Sequence, residues 1–281
     1  MNRHRRLLTA AALGLAVAPL CAAAAEEAAK DDSLERVRQR GRLKVAVYED
    51  LAPFNLNGKG IDCDLAQALA QGLGVELSLL PFTAGENIAD DLRNAVWKGH
   101  YLGWGPADVM LHVPLERPLL EANPQVEVVA PYYRERVMLA WDRERGPEPQ
   151  SMAALAGKPV AVAGGSLAGW LLAGAEGGLL REGLATHHTD GVSAARSLLA
   201  GQVTACAGLA SELEFVLSAS PRYAILALPT PRAPRDGWVL GCAVKKGATA
   251  LAKALHERLS TLGAGPDLRA MFLRHGVVWR G

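Results

Sequence analysis

The sequence predicts an α/β protein made of two lobes, the second inserted in the first. Three observations predict it. Short β-branched runs alternate with segments of helical apolar spacing along most of the chain, which implies parallel sheets covered by helices on both faces. The alternation also restarts: after two strand–helix–strand units comes the Pro-bounded connector Glu116–Pro124, and a second set begins at Ser151. Strand-like runs near Pro131–Ala140 and Arg235–Leu240 then give two crossings between the sets. Two crossings make a hinge, and the crevice between lobes makes a ligand site. The expected bounds are 42–135 with 238–281 for lobe 1, and 136–237 for lobe 2.

The elements follow in order. Residues 1–25 read as a signal peptide: a basic start at Arg3, Arg5 and Arg6, an apolar run Leu7–Leu20, and an Ala23–Ala25 cleavage site. This implies export to the periplasm. Residues 26–41 form a polar leader, frayed or a short helix. Arg42–Tyr48 alternates as a strand. Glu49–Gly60 is a loop carrying Phe54. Asp62 and Asp64 open a helix with Leu65, Leu69 and Leu73 on its apolar face, carboxylates being favoured at a helix start. Val75–Leu79 is a strand, Ile88–Trp97 a helix and Val109–Leu111 a buried strand.

In the second set, Ser151–Leu155 reads as a short capped helix and Val160–Val162 as a strand. Gly164-Gly165-Ser166 is a tight loop into a helix near Leu167–Leu172. Ser193–Ala200 is a helix, Val203–Leu209 a strand, Ser211–Leu217 a helix and Ile225–Leu228 a strand. Val239–Val244 resumes as a strand, followed by a helix with Leu251, Leu255, Leu259 and Leu262 at helical spacing and a last helix begun by Pro266.

Charge excludes one class of partner. The whole chain carries 30 basic and 29 acidic residues. Without residues 1–25, which hold three arginines and no acids, 27 basic residues face 29 acidic ones, a net −2. That is no footprint for nucleic acid. Cys63, Cys206 and Cys242 remain after cleavage, an odd number without C-x-x-C spacing. Buried, unreactive thiols are expected, with a Cys206–Cys242 bridge as the alternative.

One loop stands out. Gly99–Ala107 carries His100, Tyr101 and Trp104 between a helix and a strand. Such a loop is either a docking surface or a cap on the lobe's own core.

Several motifs together resemble the family-3 bacterial solute-binding proteins, the periplasmic receptors of ABC importers: "GIDCDLAQALAQ", "DVM", "PYY", "LAGKPVAVAGGS", "GQVTACAGLAS" and "LGCAVKKG". The resemblance spans Leu43–His275 and implies the two-lobe periplasmic binding protein type II fold. The wording "DDLRNAVWKGHYLGWGPADVMLHVP" is similar to a narrower branch, the MxaJ/XoxJ type encoded beside pyrroloquinoline-quinone alcohol dehydrogenases. The resemblance implies a small-molecule ligand held by Phe54 as a stacking ring, Arg117 as the carboxylate clamp, and Gly165 and Ser166 at a helix N-terminus. His112 replaces a small residue of the ligand-lining strand. Leu209 stands where the family places the acid that holds an α-ammonium. A standard α-amino acid is therefore not the expected ligand. The implied partner is an ABC permease or, in the alternative, a periplasmic quinoprotein dehydrogenase docked through His100, Tyr101 and Trp104.

The remaining residues point to bland roles. Asp62, Asp64, Asp90 and Asp91 read as helix-start charges, His187-His188 as a solvated loop, Tyr132 and Tyr133 as hinge packing, and Trp170, Trp238 and Trp279 as packing residues. No G-x-S-x-G elbow, H-E-x-x-H or Cys–His arrangement appears. No metal, no cofactor and no catalysis are expected. Glu116, Asp108 and His112 are the candidates if the fold carries an enzyme.

Overall fold

The computed structural model describes residues 31–281. The signal peptide, its cleavage site and the first residues of the leader lie outside the described residues. Among the described residues no helix is long and apolar enough to cross a membrane.

The first set of elements runs α1 (Ser33–Arg40), β1 (Arg42–Tyr48), β2 (Asp50–Leu51), β3 (Asn55–Leu56), α2 (Ile61–Gly72), β4 (Glu76–Phe82), α3 (Ile88–Leu92), β5 (Val109–Pro114), α4 (Arg117–Ala122) and β6 (Val126–Glu135). A wider helical turn, Arg93–Trp97, continues α3. The second set runs β7 (Val137–Asp142), β8 (Val160–Val162), α5 (Leu167–Gly174), β9 (Leu184–Ala185), α6 (Gly191–Leu199), β10 (Ala205–Leu209), α7 (Ala210–Leu217) and β11 (Tyr223–Ala227). The chain then returns through β12 (Trp238–Lys245), α8 (Thr249–Ala264) and α9 (Asp267–Arg274).

These strands form two five-stranded sheets, ordered β4-β1-β5-β12-β6 and β11-β7-β10-β8-β9. Both are mixed, which corrects the expectation of purely parallel sheets. β12 runs antiparallel to β5 and β6, and β7 antiparallel to β10 and β11. The physical reason is the crossing itself. The strands that carry the chain between the sheets reach them from the opposite end to the strands fed by helices. At the crossing the two passages lie side by side, with Trp238 opposite Glu135 in register.

The strand pattern sorts the cores. Leu43, Val45 and Val47 of β1 face one cluster with α2, α8 and α9, while Ala46 faces another under α3. In the second sheet Val160 and Val162 face one cluster and Ala161 the other. Both sheets are therefore buried on both faces, as apolar runs without strict alternation require.

Two open readings, the leader and the cysteines, resolve, and three expectations change. The leader contains helix α1, docked through buried Val37 and through a Leu251 N–H donated to Ser33 Oγ at 3.2 Å. The connector Glu116–Pro124 contains α4, started by Pro118 in its first turn. Met152–Leu155 is a single tight turn, and the Ser151 side chain makes no capping bond there. Cys206 and Cys242 are buried free thiols on different sheets, so they form no bridge; Cys63 is likewise free and buried. Trp170 is 73% exposed on α5 instead of packed.

Candidate functional site

The crevice forms where β5, the crossing strands and the starts of α5, α6 and α7 converge. It has two joined parts. One, of about 700 Å³, is lined by Gly165, Ser166, Leu167, Asp190, Gly191 and Glu212. The other, of about 390 Å³, is lined by Tyr48, Glu49, Asp50, Thr83, His112 and Glu135. Pro114, Leu209 and Trp238 line both. Glu116 lines the first part as well. Neither lining contains a lysine or an arginine.

Four of the expected ligand residues meet here: His112, Gly165, Ser166 and Leu209. Ser166 caps α5, its Oγ accepting from Gly169 N at 3.1 Å and donating to Ala163 O at 2.7 Å. The hydroxyl is thus largely committed to the cap. What α5 offers a ligand is backbone N–H at its first turn.

Phe54 and Arg117 do not line the crevice, and both readings are corrected. Phe54 is 2% exposed in the core of the first sheet, packed edge-on or tilted against Tyr133, Phe272 and His112. The His112 ring sits edge-on to it at 4.2 Å and takes the face a ligand would use. Gly60 fixes the turn beside it: a Cβ there would lie 2.3 Å from the Phe54 carbonyl oxygen, with φ at 144°. Arg117 points into solvent with its side chain 89% exposed and donates to Glu121 Oε1 at 2.7 Å, one helical turn on. Among the described residues that line the crevice, no lysine or arginine stands in its place.

His112 is held from behind. Its backbone N–H donates to Tyr132 Oη at 2.9 Å, and Tyr132 Oη donates to Asp62 Oδ1 at 3.0 Å. Its Nδ1 stands 3.5 Å from Asp62 Oδ2, too long for a good hydrogen bond. Asp62, read as a helix-start charge, is therefore a buried strut. Burial, with the charge of Asp62 beside it, pushes the Tyr132 hydroxyl well above its ordinary range and keeps it a donor.

Sequence reasoning missed the acids of the second lobe. Leu209 lacks a carboxylate, but Glu212, three residues on, accepts from Leu209 N at 2.8 Å and from Gly191 N at 3.1 Å. Burial, with Glu135 and Asp190 nearby, raises its carboxyl to about 7 against those N–H donors. The signal available was a Glu at the third position of a helix, where it reaches back to the start. Asp190, which caps α6 through Ser193 N, lines the same wall. Tyr48 lines the other wall while its hydroxyl donates to Asp91 Oδ2 at 2.9 Å.

The aromatic loop divides in two. Trp104 stacks on Phe82 at 5.6 Å and on His100 at 4.5 Å, so it caps the lobe's core. Tyr101 and Leu102 project from it, 87% and 70% exposed. His187 and His188 lie at the surface, their rings 4.3 Å apart. Among the described residues no cluster of three or more His, Cys, Asp or Glu is placed to hold a metal.

No family model and no curated protein matches the chain. Solved structures do. An ancestral cationic amino-acid solute-binding protein is 20% identical over 87% of this chain and 99% of its own, with a TM-score of 0.67. An amino-acid ABC transporter substrate-binding protein from Streptococcus pneumoniae, bound to L-arginine, is 25% identical over 86% of this chain and 97% of its own, with a TM-score of 0.55. A solute receptor for L-cysteine of Neisseria gonorrhoeae is 18% identical over 86% and 92%, with a TM-score of 0.57. The chain has the two-lobe periplasmic binding protein fold of these neighbours.

Proposed function

We propose that the chain is a periplasmic solute-binding protein of an ABC importer, and that its solute is a small organic cation without an α-carboxylate. One observation carries the reading: the crevice is lined by Glu49, Asp50, Glu116, Glu135, Asp190 and Glu212 and by no lysine or arginine. A cation entering it gains from several carboxylates and from the Trp238 and Tyr48 rings. An amino-acid carboxylate would meet those same charges with Arg117 turned away and only the start of α5 to hold it. Neighbours of this fold that bind arginine and cationic amino acids support the cationic half of the reading.

Paired ligands test it. Calorimetric titration with agmatine against arginine, and cadaverine against lysine, separates the amine from the carboxylate. The decarboxylated member of each pair is expected to bind about tenfold tighter or better, the scale of one charge-assisted hydrogen bond. Equal or tighter binding of the amino acids overturns the reading, and so does the absence of binding by every amine to folded protein.

A second reading is favoured by the exposed pair Tyr101–Leu102 on a loop braced by His100 and Trp104. Here the chain is an accessory protein that docks a periplasmic quinoprotein alcohol dehydrogenase, as the resemblance to the MxaJ/XoxJ type implies. Co-purification with such a dehydrogenase, lost in Tyr101→Ser with Leu102→Ser, supports it. A dehydrogenase that ignores the protein removes it.

A further inference from the structure

A second cavity lies outside the crevice, beside the crossing. It has a volume of about 490 Å³ and is lined by Arg136, Val137 and Met138 where the chain enters β7, by Gln150, and by the returning segment Ala227–Arg235. Its chemistry is the reverse of the crevice. Arg136 and Arg235 line it, and no carboxylate does. Its walls are apolar and flat: Val137, Leu228, Pro229, Pro231 and Pro234.

Arg136 is the residue that makes the cavity notable. Its main chain is committed to the crossing, the N–H donating to Glu135 Oε1 at 2.9 Å and the carbonyl accepting from Ala210 N at 2.8 Å. Its side-chain Nε is buried and has no hydrogen-bond partner. A buried guanidinium donor without an acceptor is costly, and such groups are normally satisfied. Gly237 leaves the arginine its space: a Cβ there would lie 2.9 Å from Arg136 Cγ and 1.8 Å from the Glu135 carbonyl oxygen.

We propose that this cavity is a second ligand site, and that it takes a small organic carboxylate with an apolar body. The carboxylate would accept from the Arg136 guanidinium, Nε included, with Arg235 closing from the solvent side. Arginine–carboxylate pairing is strong and directional. The proline and aliphatic walls would cover the apolar body, the usual composition of a small-molecule pocket. This site is independent of the crevice and of the solute proposed for it.

The test is a titration of the folded protein with benzoate, hexanoate, inorganic phosphate and benzylamine, followed by the ¹⁵N–¹H signal of the Arg136 Nε. Benzoate and hexanoate are expected to move that signal saturably, and benzylamine to leave it in place. Arg136→Gln and Arg235→Gln are each expected to weaken benzoate by roughly tenfold or more, the scale of a charge-assisted hydrogen bond. Arg235 is exposed on the returning segment, so its variant keeps the test open if Arg136→Gln fails to fold. No response to either carboxylate overturns the site. Unchanged benzoate affinity in Arg235→Gln, or in a folded Arg136→Gln, also overturns it. Phosphate binding as tightly as benzoate removes the role of the apolar walls and overturns the assignment to an organic carboxylate.

Discussion

Strand β7 lies between two buried carboxyl groups, Glu135 at the end of β6 just before it and Asp142 at its own last residue, and the two are held by opposite chemistry. Asp142, where the chain leaves the strand, faces the Arg222 guanidinium, which donates from Nε to Oδ1 at 2.9 Å and from Nη2 to Oδ2 at 2.5 Å; the Glu144 N–H adds 3.1 Å to Oδ1. The Arg222 side chain holds the Asp142 carboxyl below its ordinary range. Glu135, where the chain enters, has no such cation. Its Oε2 accepts from Ser211 Oγ at 2.5 Å and its Oε1 from the N–H of Arg136 and Ser211. Burial raises its carboxyl above the ordinary range, and those donors offset only part of that. Glu212, its neighbour across the crevice wall, is raised as well. One end of the strand is an ion pair built for stability. The other leaves acids uncompensated beside a cavity, which is the mark of a site awaiting a cation or a proton.

The largest expected effect breaks the structural end. Arg222→Met leaves Asp142 buried with only Arg145, 3.6 Å away, as a charged partner. The Arg222 side chain is 35% exposed, so the pair is half-buried, and urea unfolding should read a loss greater than that of an exposed surface pair at neutral pH. A loss under about 1 kcal/mol, the scale of a surface pair, would mean that Asp142 is no anchor and the contrast is false. The effect should fade in acid. A carboxyl held below its ordinary 3.8 contributes stability above that value, and loses it as pH falls through the folded one.

The crevice end should depend on pH with the opposite sign. Between the ordinary carboxyl value of 4.5 and the folded value of about 7, folded Glu212 keeps a proton that the unfolded chain has released. The folded state binds more protons in that window, so stability falls as pH rises through it and levels off above about 7. After discounting for water in the open crevice, the fall is about 2 kcal/mol. Unfolding midpoints measured from pH 5 to 8 check it, and Glu212→Gln should flatten the profile. A wild-type profile that is flat over that window, or one that rises, removes the raised carboxyl from the comparison.

How much of this could be read in advance depended on where the information lies. β1 and β8 were legible to the residue, because runs such as Leu43–Val47 and Val160–Val162 allow no other period once they are buried on both faces. The helix start after Ser166 was legible for the same local reason, but the use of its hydroxyl was not: read as a ligand group, it is spent on the cap, accepting from Gly169 N. Phe54 was not, because its direction is set by His112 and Phe272, which are 58 and 218 residues away in sequence. Arg117 failed because its nearest acid, Glu121, is one helical turn along a helix that the proline-bounded segment did not announce. The acids at the crossing failed for a third reason. Glu135, Trp238 and Glu212 come from three separate elements, and only the pairing of β6 with β12 brings the first two together.

The smallest expected effect is the sharpest discriminator between the two ends. A neutral Glu135 would present a carbonyl-like Oε1 to the N–H groups of Arg136 and Ser211 and a hydroxyl-bearing Oε2 to Ser211 Oγ. Glutamine has the same shape and the same order of acceptor and donor. Because burial raises the Glu135 carboxyl and favours its protonated form, Glu135→Gln should change stability by no more than about 0.5 kcal/mol, the range of a conservative replacement. Asp142→Asn, the same kind of substitution at the far end of the strand, removes the charge that Arg222 faces and should cost several times more, about 2 kcal/mol. Urea unfolding of the two variants side by side decides it. If Glu135→Gln costs as much as Asp142→Asn, then Glu135 is an ionised anchor like its counterpart, and the contrast between the two carboxyl groups is false.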